Sequence, residues 1–192
     1  CIILKNKFTT LLGILYILVY LSFGAFQENR AQFVVQSIAN LRGHESKDLT
    51  AKPSLGNLFL WKTIYEYDGF YYVDAVRLFS KSQYCQGTKI KKLDLLNDFS
   101  ELDIKSQQYR DLKRFDWFSQ GYLGKGIEKN VIIDVRYSAV PNEVDGLWGI
   151  RINPDKHNSS HVNWVVNRSN YMEKWKRFFD LLSGKNCKGL IN

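Results

Sequence analysis

Asp134 and Arg136 are the charged residues whose spacing best suits chemistry. They alternate along the predicted strand 130–138, so both side chains leave the same face of a sheet. A carboxylate paired with a guanidinium in a cleft with aromatic walls would suit a polar ligand. The pattern alone favours a plainer interpretation, in which the two side chains belong to the polar outer face of the sheet. If a site exists, we expect a cleft formed by Asp134, Arg136, Arg114, Trp117, Tyr122 and Trp148.

His157 and His161 are the weak candidates for metal ligands. Their i,i+4 spacing would place two imidazoles on one face of a helix, as in zinc sites. However, turn-forming residues separate them and no Glu lies between them, so the pattern favours two histidines in a surface loop. The sequence has no P-loop, no GxGxxG, no serine nucleophile elbow and no Cys-His arrangement. The residues themselves therefore predict no metal site and no convincing catalytic constellation.

Any site must be positioned by the helices and strands of the chain, and the first of these is predicted at residues 8–26. This segment carries no charge and follows Lys5 and Lys7. About 20 apolar residues in a helix span the hydrocarbon core of a bilayer. A signal peptide, which also has basic residues before an apolar run, is the alternative, but this run is long and its cleavage motif is loose. We expect a transmembrane helix with a short basic flank in residues 1–26. Since the chain begins with Cys1 directly ahead of this helix, we also expect it to be part of a longer protein.

The remainder of the chain is basic. All 19 acidic residues and all but two of the 27 Lys and Arg residues follow the apolar segment, which leaves an excess of six positive charges there. The basic residues are scattered, which favours an ordinary soluble surface over a specific polyanion site. The sharper alternative is attraction to anionic lipid or to an envelope polymer. No reader motif predicts nucleic-acid binding.

Residues 27–45 are predicted to form an amphipathic juxtamembrane helix, with Phe33, Val34, Ile38 and Leu41 on its apolar side and Gly43 at its end. Residues 46–192 are predicted to form one α+β domain. A hairpin is expected at 58–79 around the turn Asp68-Gly69, with its aromatic face toward the core. Helices are predicted at 103–123 and 170–182, the second capped by Ser169, and further strands at 130–138, 146–152 and 161–166. These elements indicate an antiparallel sheet with helices packed on one face.

Cys85 and Cys187 could form a disulfide in an oxidising compartment, although sequence cannot establish their proximity. Lys5 and Lys7 favour a cytoplasmic N-terminus and an extracytoplasmic domain, while Arg30 and Arg42, on the other side, weaken that orientation.

Seven short segments form a pattern in order along the chain: RGH at 42–44, KPSLGNLFLW at 52–61, YYVDAVR at 71–77, RFDWFSQGY at 114–122, DVRYS at 134–138, PNE at 141–143 and LWGI at 147–150. The pattern resembles the C-terminal part of the YdjM-like membrane-bound, metal-dependent hydrolase family of the bacterial inner membrane. The resemblance implies a hydrolase of unknown substrate that uses a divalent metal ion. The family's His- and Asp-containing motif lies in an N-terminal region with no counterpart here, so the resemblance assigns no catalytic residue or metal ligand to this chain. The alternative is a non-enzymatic, membrane-tethered binding or assembly module for anionic lipid or envelope polymer.

Overall fold

The two predicted N-terminal helices form one continuous helix, α1 (Lys7–Leu41), in the computed structural model, which describes residues 7–189. Side chains of the first half are exposed, and burial begins at Gln27. From there Ala31, Val34 and Ile38 follow at three- and four-residue steps and pack on a sheet. Phe33 and Leu41 lie off this stripe and are 75% and 70% exposed, so their predicted place on the apolar side was wrong. α1 ends as predicted at Gly43, whose φ is +69°.

The first sheet has five antiparallel strands. Their spatial order is β1 (Lys47–Pro53), β2 (Leu60–Tyr67), β3 (Phe70–Leu78), β4 (Ser82–Lys91) and β9 (Lys188–Gly189). The predicted hairpin of β2 and β3 is confirmed, and Asp68 and Gly69 both take positive φ, as a tight two-residue turn requires. Cys85 of β4 and Cys187, just before β9, are joined by a disulfide.

Both faces of β2 are buried. The face with Trp61 and Tyr65 packs against α1, in agreement with the prediction that the aromatic face of the hairpin points toward the core. The opposite face, with Leu60, Lys62 and Ile64, is also covered, because a second layer of structure packs on it. Arg42, directly after α1, also joins this helix to the face of the sheet that it covers. The Arg42 guanidinium donates two hydrogen bonds, of 2.7 and 3.0 Å, to the Asp74 carboxylate of β3.

The second layer contains a four-stranded antiparallel sheet and two helices. The sheet consists of β5 (Leu123–Lys125), β6 (Val131–Asp134), β7 (Trp148–Arg151) and β8 (Asn163–Val166), and the helices are α2 (Gln107–Phe118) and α3 (Tyr171–Ser183). The predicted α+β class, with a long apolar N-terminal helix followed by antiparallel strands and further helices, is confirmed, although the strands form two sheets where one was predicted. Helices lie on both faces of the first sheet, because α1 covers one face while α3 packs on the other through Phe178 and Leu181.

The two later helices differ from prediction at their ends. α2 is shorter than predicted and is capped by Ser106, whose hydroxyl accepts a hydrogen bond from Tyr109 N at 3.1 Å. The N-cap of α3 is Asn170, with Ser169 one residue earlier, and Gly184 ends the helix. Lys174, Phe178 and Leu181 form the buried face of α3, and Met172 and Phe179 lie on its exposed side.

Candidate functional site

Asp134 and Arg136 form a buried ion pair, so the interpretation as a polar outer face was wrong. Arg136 Nε donates to Asp134 Oδ1 at 2.9 Å, and Nη2 donates to Oδ2 at 2.7 Å. The same guanidinium also donates to Gln120 Oε1 and to the Phe118 carbonyl, both at 2.9 Å. Burial lowers the pKa of Arg136, but the hydrogen bond and charge of Asp134 outweigh this effect and raise it overall. The guanidinium therefore stays charged and ties β6 to the end of α2.

The other residues of the predicted cleft do not all meet this pair. Arg136 and Trp148 line one cavity, described below. Tyr122 instead stacks on Tyr71, with ring centroids 5.4 Å apart, and donates from its hydroxyl to the Asp48 carbonyl at 2.7 Å. Arg114 and Trp117 lie on the outer side of α2, and Trp117 is 79% exposed. The buried side of α2 is formed by Gln108, Leu112 and Phe115, which is why these two residues face outward.

His157 and His161 are exposed and have separate partners. His157 Nδ1 lies 2.9 Å from Ser159 Oγ, and His161 Nδ1 lies 2.8 Å from Asp111 Oδ2. No group of three or more His, Cys, Asp or Glu side chains is placed to hold a metal ion within residues 7–189. The described residues therefore do not fit the divalent ion that the resemblance implies.

A cavity of about 810 Å³ lies between the first sheet and the second layer. Its walls come from the end of β1, from residues that follow β6, from the start of β7 and from α3. Most of the wall is apolar or aromatic, including Leu55, Tyr137, Leu147, Trp148, Trp175 and Phe178. A volume of this size is in the range of pockets that hold small organic ligands.

Lys62 is a buried cation of this cavity, with 5% of its surface exposed, and differs from the buried Arg136 and Lys174 in having no carboxylate partner among the described residues. Its ammonium donates to Ser138 Oγ at 2.9 Å, to the Glu143 carbonyl at 2.6 Å and to the Pro141 carbonyl at 3.3 Å. Burial lowers the pKa of Lys62 to about 7, against the opposing effect of the Glu143 and Asp134 charges. Lys62 forms no ion pair with a carboxylate of the described chain within 4.0 Å.

Positive charge predominates around the cavity. Basic side chains in its lining are Lys52, Lys62, Arg136, Arg168 and Lys174. Asp134 and Asp145 pair with Arg136 and Lys174 from behind, and no Asp or Glu of the described residues lines the cavity itself. Trp148 and Ser54 also line the cavity, and the atoms Trp148 Nε1 and Ser54 Oγ are buried without a hydrogen-bond partner in this part of the chain. The cavity thus presents hydrogen-bond donors and cations on an apolar background.

Sequence reasoning did not identify Lys62, Ser138 or Lys174 as site residues. Ser138 lies 76 positions from Lys62, and no short motif links them. One signal was present: Lys62 stands between Leu60 and Ile64 on one face of β2, and a lysine flanked by apolar residues on a strand face requires a polar partner or a special role.

Comparison of the chain with family models, with curated proteins and with solved structures found no match. The resemblance to the YdjM-like family therefore remains a prediction.

Proposed function

We propose that this chain is a membrane-anchored, extracytoplasmic domain whose cavity binds an amphiphilic ligand with an anionic group. The observation that supports this most strongly is the composition of the cavity wall. Five basic side chains and no acidic one among the described residues line a mostly apolar cavity, and three of the five, Lys52, Lys62 and Arg168, form no ion pair with a described carboxylate. Apolar walls would hold the hydrocarbon part of a ligand, and the cations and the Trp148 indole N–H would bind its anionic part.

The membrane anchor is proposed from α1. It is a helix of the described chain that is long and apolar enough to cross a membrane, and its most apolar window has no buried residue. At 1.5 Å per residue, segment 8–26 is about 28 Å long, close to the thickness of the hydrocarbon core. A core helix of a soluble protein would bury this segment. The Cys85–Cys187 disulfide supports placing the domain outside the cytoplasm, since disulfides persist in oxidising compartments.

Dodecyl phosphate, which has a single alkyl chain and an anionic head, is a suitable probe for the cavity. Native mass spectrometry of the full chain in non-ionic detergent would measure its binding. Arg168 lines the cavity and is exposed, so Arg168→Gln should weaken binding without affecting folding. We expect about a three- to tenfold increase in Kd from the loss of one charge-assisted contact.

The matched control for this experiment is Lys176→Gln. Lys176 is an exposed cation of α3 that does not line the cavity, and its loss removes the same charge from the surface. The proposal requires dodecyl phosphate to bind and Arg168→Gln alone to weaken it. An equal effect of both substitutions would mean non-specific attraction to surface charge, and no binding to the wild type would contradict the proposal directly.

Hydrolysis within the cavity is a second candidate function, which the Lys62–Ser138 contact favours. A neutral Lys62 amine could take the Ser138 hydroxyl proton as Oγ attacks an ester carbonyl. The C–O bond to the leaving alcohol would break, and the alcohol would take that proton from Nζ. Water would then attack the acyl-serine and pass a proton through Nζ back to Oγ, which releases the acid. The Ser138 hydroxyl now donates to the Val140 carbonyl at 2.7 Å, so it would have to rotate toward Nζ.

An ester-hydrolysis screen of the full chain tests this second candidate. Ser138→Ala should abolish activity, and Ser169→Ala, which also changes a cavity-lining serine, should not. The rate should rise with pH through about 7, the pKa of Lys62. Full activity in Ser138→Ala would exclude this mechanism. The metal-dependent activity implied by the resemblance is a separate proposal for a longer form of the protein, whose test is loss of hydrolysis on chelation.

A further inference from the structure

One end of the first sheet lies where the exposed, apolar part of α1 stops. Gln27, fully buried, donates from Nε2 to the Leu58 carbonyl at 3.1 Å and to the Leu78 carbonyl at 3.0 Å. The β1–β2 loop and the β3–β4 turn are therefore held beside the helix at the level of Gln27. The C-terminal end of α1 points toward the other end of the sheet, where His44, just after the helix, stacks on Tyr67 at the end of β2, with ring centroids 4.1 Å apart. Segment 8–26 thus projects beyond the loop end of the sheet.

Aromatic side chains of α1 and of the adjacent loops meet at this level. Phe23 of α1 contacts Phe59 of the β1–β2 loop at 5.9 Å between ring centroids, and Phe59 stacks on Phe79 of the β3–β4 turn at 4.7 Å. Phe26 of α1 lies 6.5 Å from Phe23 between ring centroids, and Leu55 belongs to the same β1–β2 loop as Phe59; both are strongly exposed, Leu55 at 81%. We define the collar as these five residues: Phe23, Phe26, Leu55, Phe59 and Phe79. Apolar rings left exposed beside an apolar helix segment form one continuous surface.

Arginines accompany the collar. Arg30 lies 5.7 Å from the Phe26 ring centroid and donates to the Phe79 carbonyl at 2.9 Å. Arg77 lies 4.1 Å from the Phe79 centroid, and Lys81 is exposed in the adjacent turn. Aromatic rings next to cations are typical of the zone where a protein meets lipid headgroups, because the rings enter the acyl boundary and the cations contact phosphate.

We propose that the collar rests in the headgroup layer of the bilayer and that the cavity takes its ligand from that layer, the ligand being an anionic lipid. The link between the two is Leu55, which belongs to the collar and also lines the cavity with Pro53 and Ser54. The rim of the cavity is therefore at the level of the collar. This inference rests on the proposed function and adds to it the orientation of the domain on the membrane and the class of ligand.

Photo-crosslinking of the full chain in nanodiscs tests the collar. The photoreactive residue p-benzoylphenylalanine would replace Tyr20, Phe59, Phe79 or Ile127, one at a time. Ile127 is the control because it is 98% exposed and follows β5, which is bridged to Lys92 at the opposite end of the first sheet. We expect lipid adducts at positions 20, 59 and 79 and only background at 127. Lipid adducts at position 20 without adducts at positions 59 and 79 would overturn the proposal that the collar lies in the headgroup layer.

The lipid identity of the ligand is tested at Tyr171, a cavity-lining residue, with the same photoreactive group. In nanodiscs of equal parts phosphatidylglycerol and phosphatidylcholine, we expect adducts there with phosphatidylglycerol at about five times the yield or more, as expected for one or two charge-assisted contacts. Equal yields, or no lipid adduct, would overturn the lipid assignment. If dodecyl phosphate still binds in that case, the proposed function stands and only this inference fails. Absence of adducts at Tyr20 would instead remove the membrane anchor from the proposed function.

Discussion

The Lys62 ammonium lies 2.9 Å from Ser138 Oγ and joins the centre of the first sheet to the loop between β6 and β7. Three oxygen acceptors hold a cation that burial destabilises, with no carboxylate of the described chain in direct contact. The cost of this burial should be visible in the dependence of stability on pH.

The free energy of unfolding should rise with pH above about 7, and the substitution Lys62→Met should remove this rise. The unfolded chain keeps the Lys62 proton up to about pH 10.5, whereas the folded chain releases it near pH 7, so the unfolded state binds more protons between these values. Raising the pH from 7 to 9.5 should therefore stabilise the wild type relative to Lys62→Met by up to about 3 kcal/mol. Thermal unfolding followed by circular dichroism in detergent measures this difference. Parallel pH dependences in the two proteins would contradict it.

Asp134 and Arg136 should be essential for folding rather than for chemistry alone. Asp134→Asn leaves a buried guanidinium without its counter-charge and should lower the free energy of unfolding by about 3–5 kcal/mol. The control is Arg114→Ala on the exposed side of α2, which should change it by less than about 0.5 kcal/mol. Denaturant unfolding compares the two. A stable, fully folded Asp134→Asn protein would show that the ion pair is not structural.

The Cys85–Cys187 disulfide should contribute strongly to stability. It links positions 102 residues apart, and a loop of about 100 residues corresponds to as much as about 4–5 kcal/mol in the chain-entropy model. The double substitution Cys85→Ala and Cys187→Ala should lower Tm, and reductant should lower Tm of the wild type but not of the double variant. Maleimide labelling of the denatured, unreduced chain should modify Cys1 alone. Labelling of all three cysteines would show that the bond does not form in the expressed protein.

The Trp148 indole N–H should contribute to ligand binding. Trp148→Phe keeps an aromatic ring in the cavity wall but removes a buried donor that has no partner in the described chain. Loss of one hydrogen bond of about 1 kcal/mol should raise the Kd for dodecyl phosphate about fivefold. Trp164→Phe is the control, since Trp164 is exposed and packs edge-on against Phe115, outside the cavity. An unchanged Kd in Trp148→Phe would exclude the indole as a ligand donor.

The sequence predicts local structure well where the signal is contained in neighbouring residues. Asp68-Gly69 predicts a tight turn and Gly43 predicts the end of a helix, and both predictions are confirmed. The site was harder to predict, because it depends on which faces a second layer covers. The alternation of side chains along β2 correctly places Lys62 and Trp61 on opposite faces of the strand, but it cannot show that both faces are buried. The predicted place of Trp117 in the cleft was wrong for the same reason. The helical pattern of α2 allows several inward faces, and only tertiary contacts select one of them.

The proposed ligand of the cavity around Lys62 is an anionic amphiphile. The most direct measurement is photoaffinity labelling of the full chain with an alkyl phosphate that carries a diazirine in its chain, followed by peptide mapping. We expect labelling of cavity-wall residues such as Trp175 and Phe178, with competition by unlabelled dodecyl phosphate and little competition by dodecanol. Labelling confined to segment 8–26 of α1, or equal competition by dodecanol, would contradict a cavity that selects an anionic ligand.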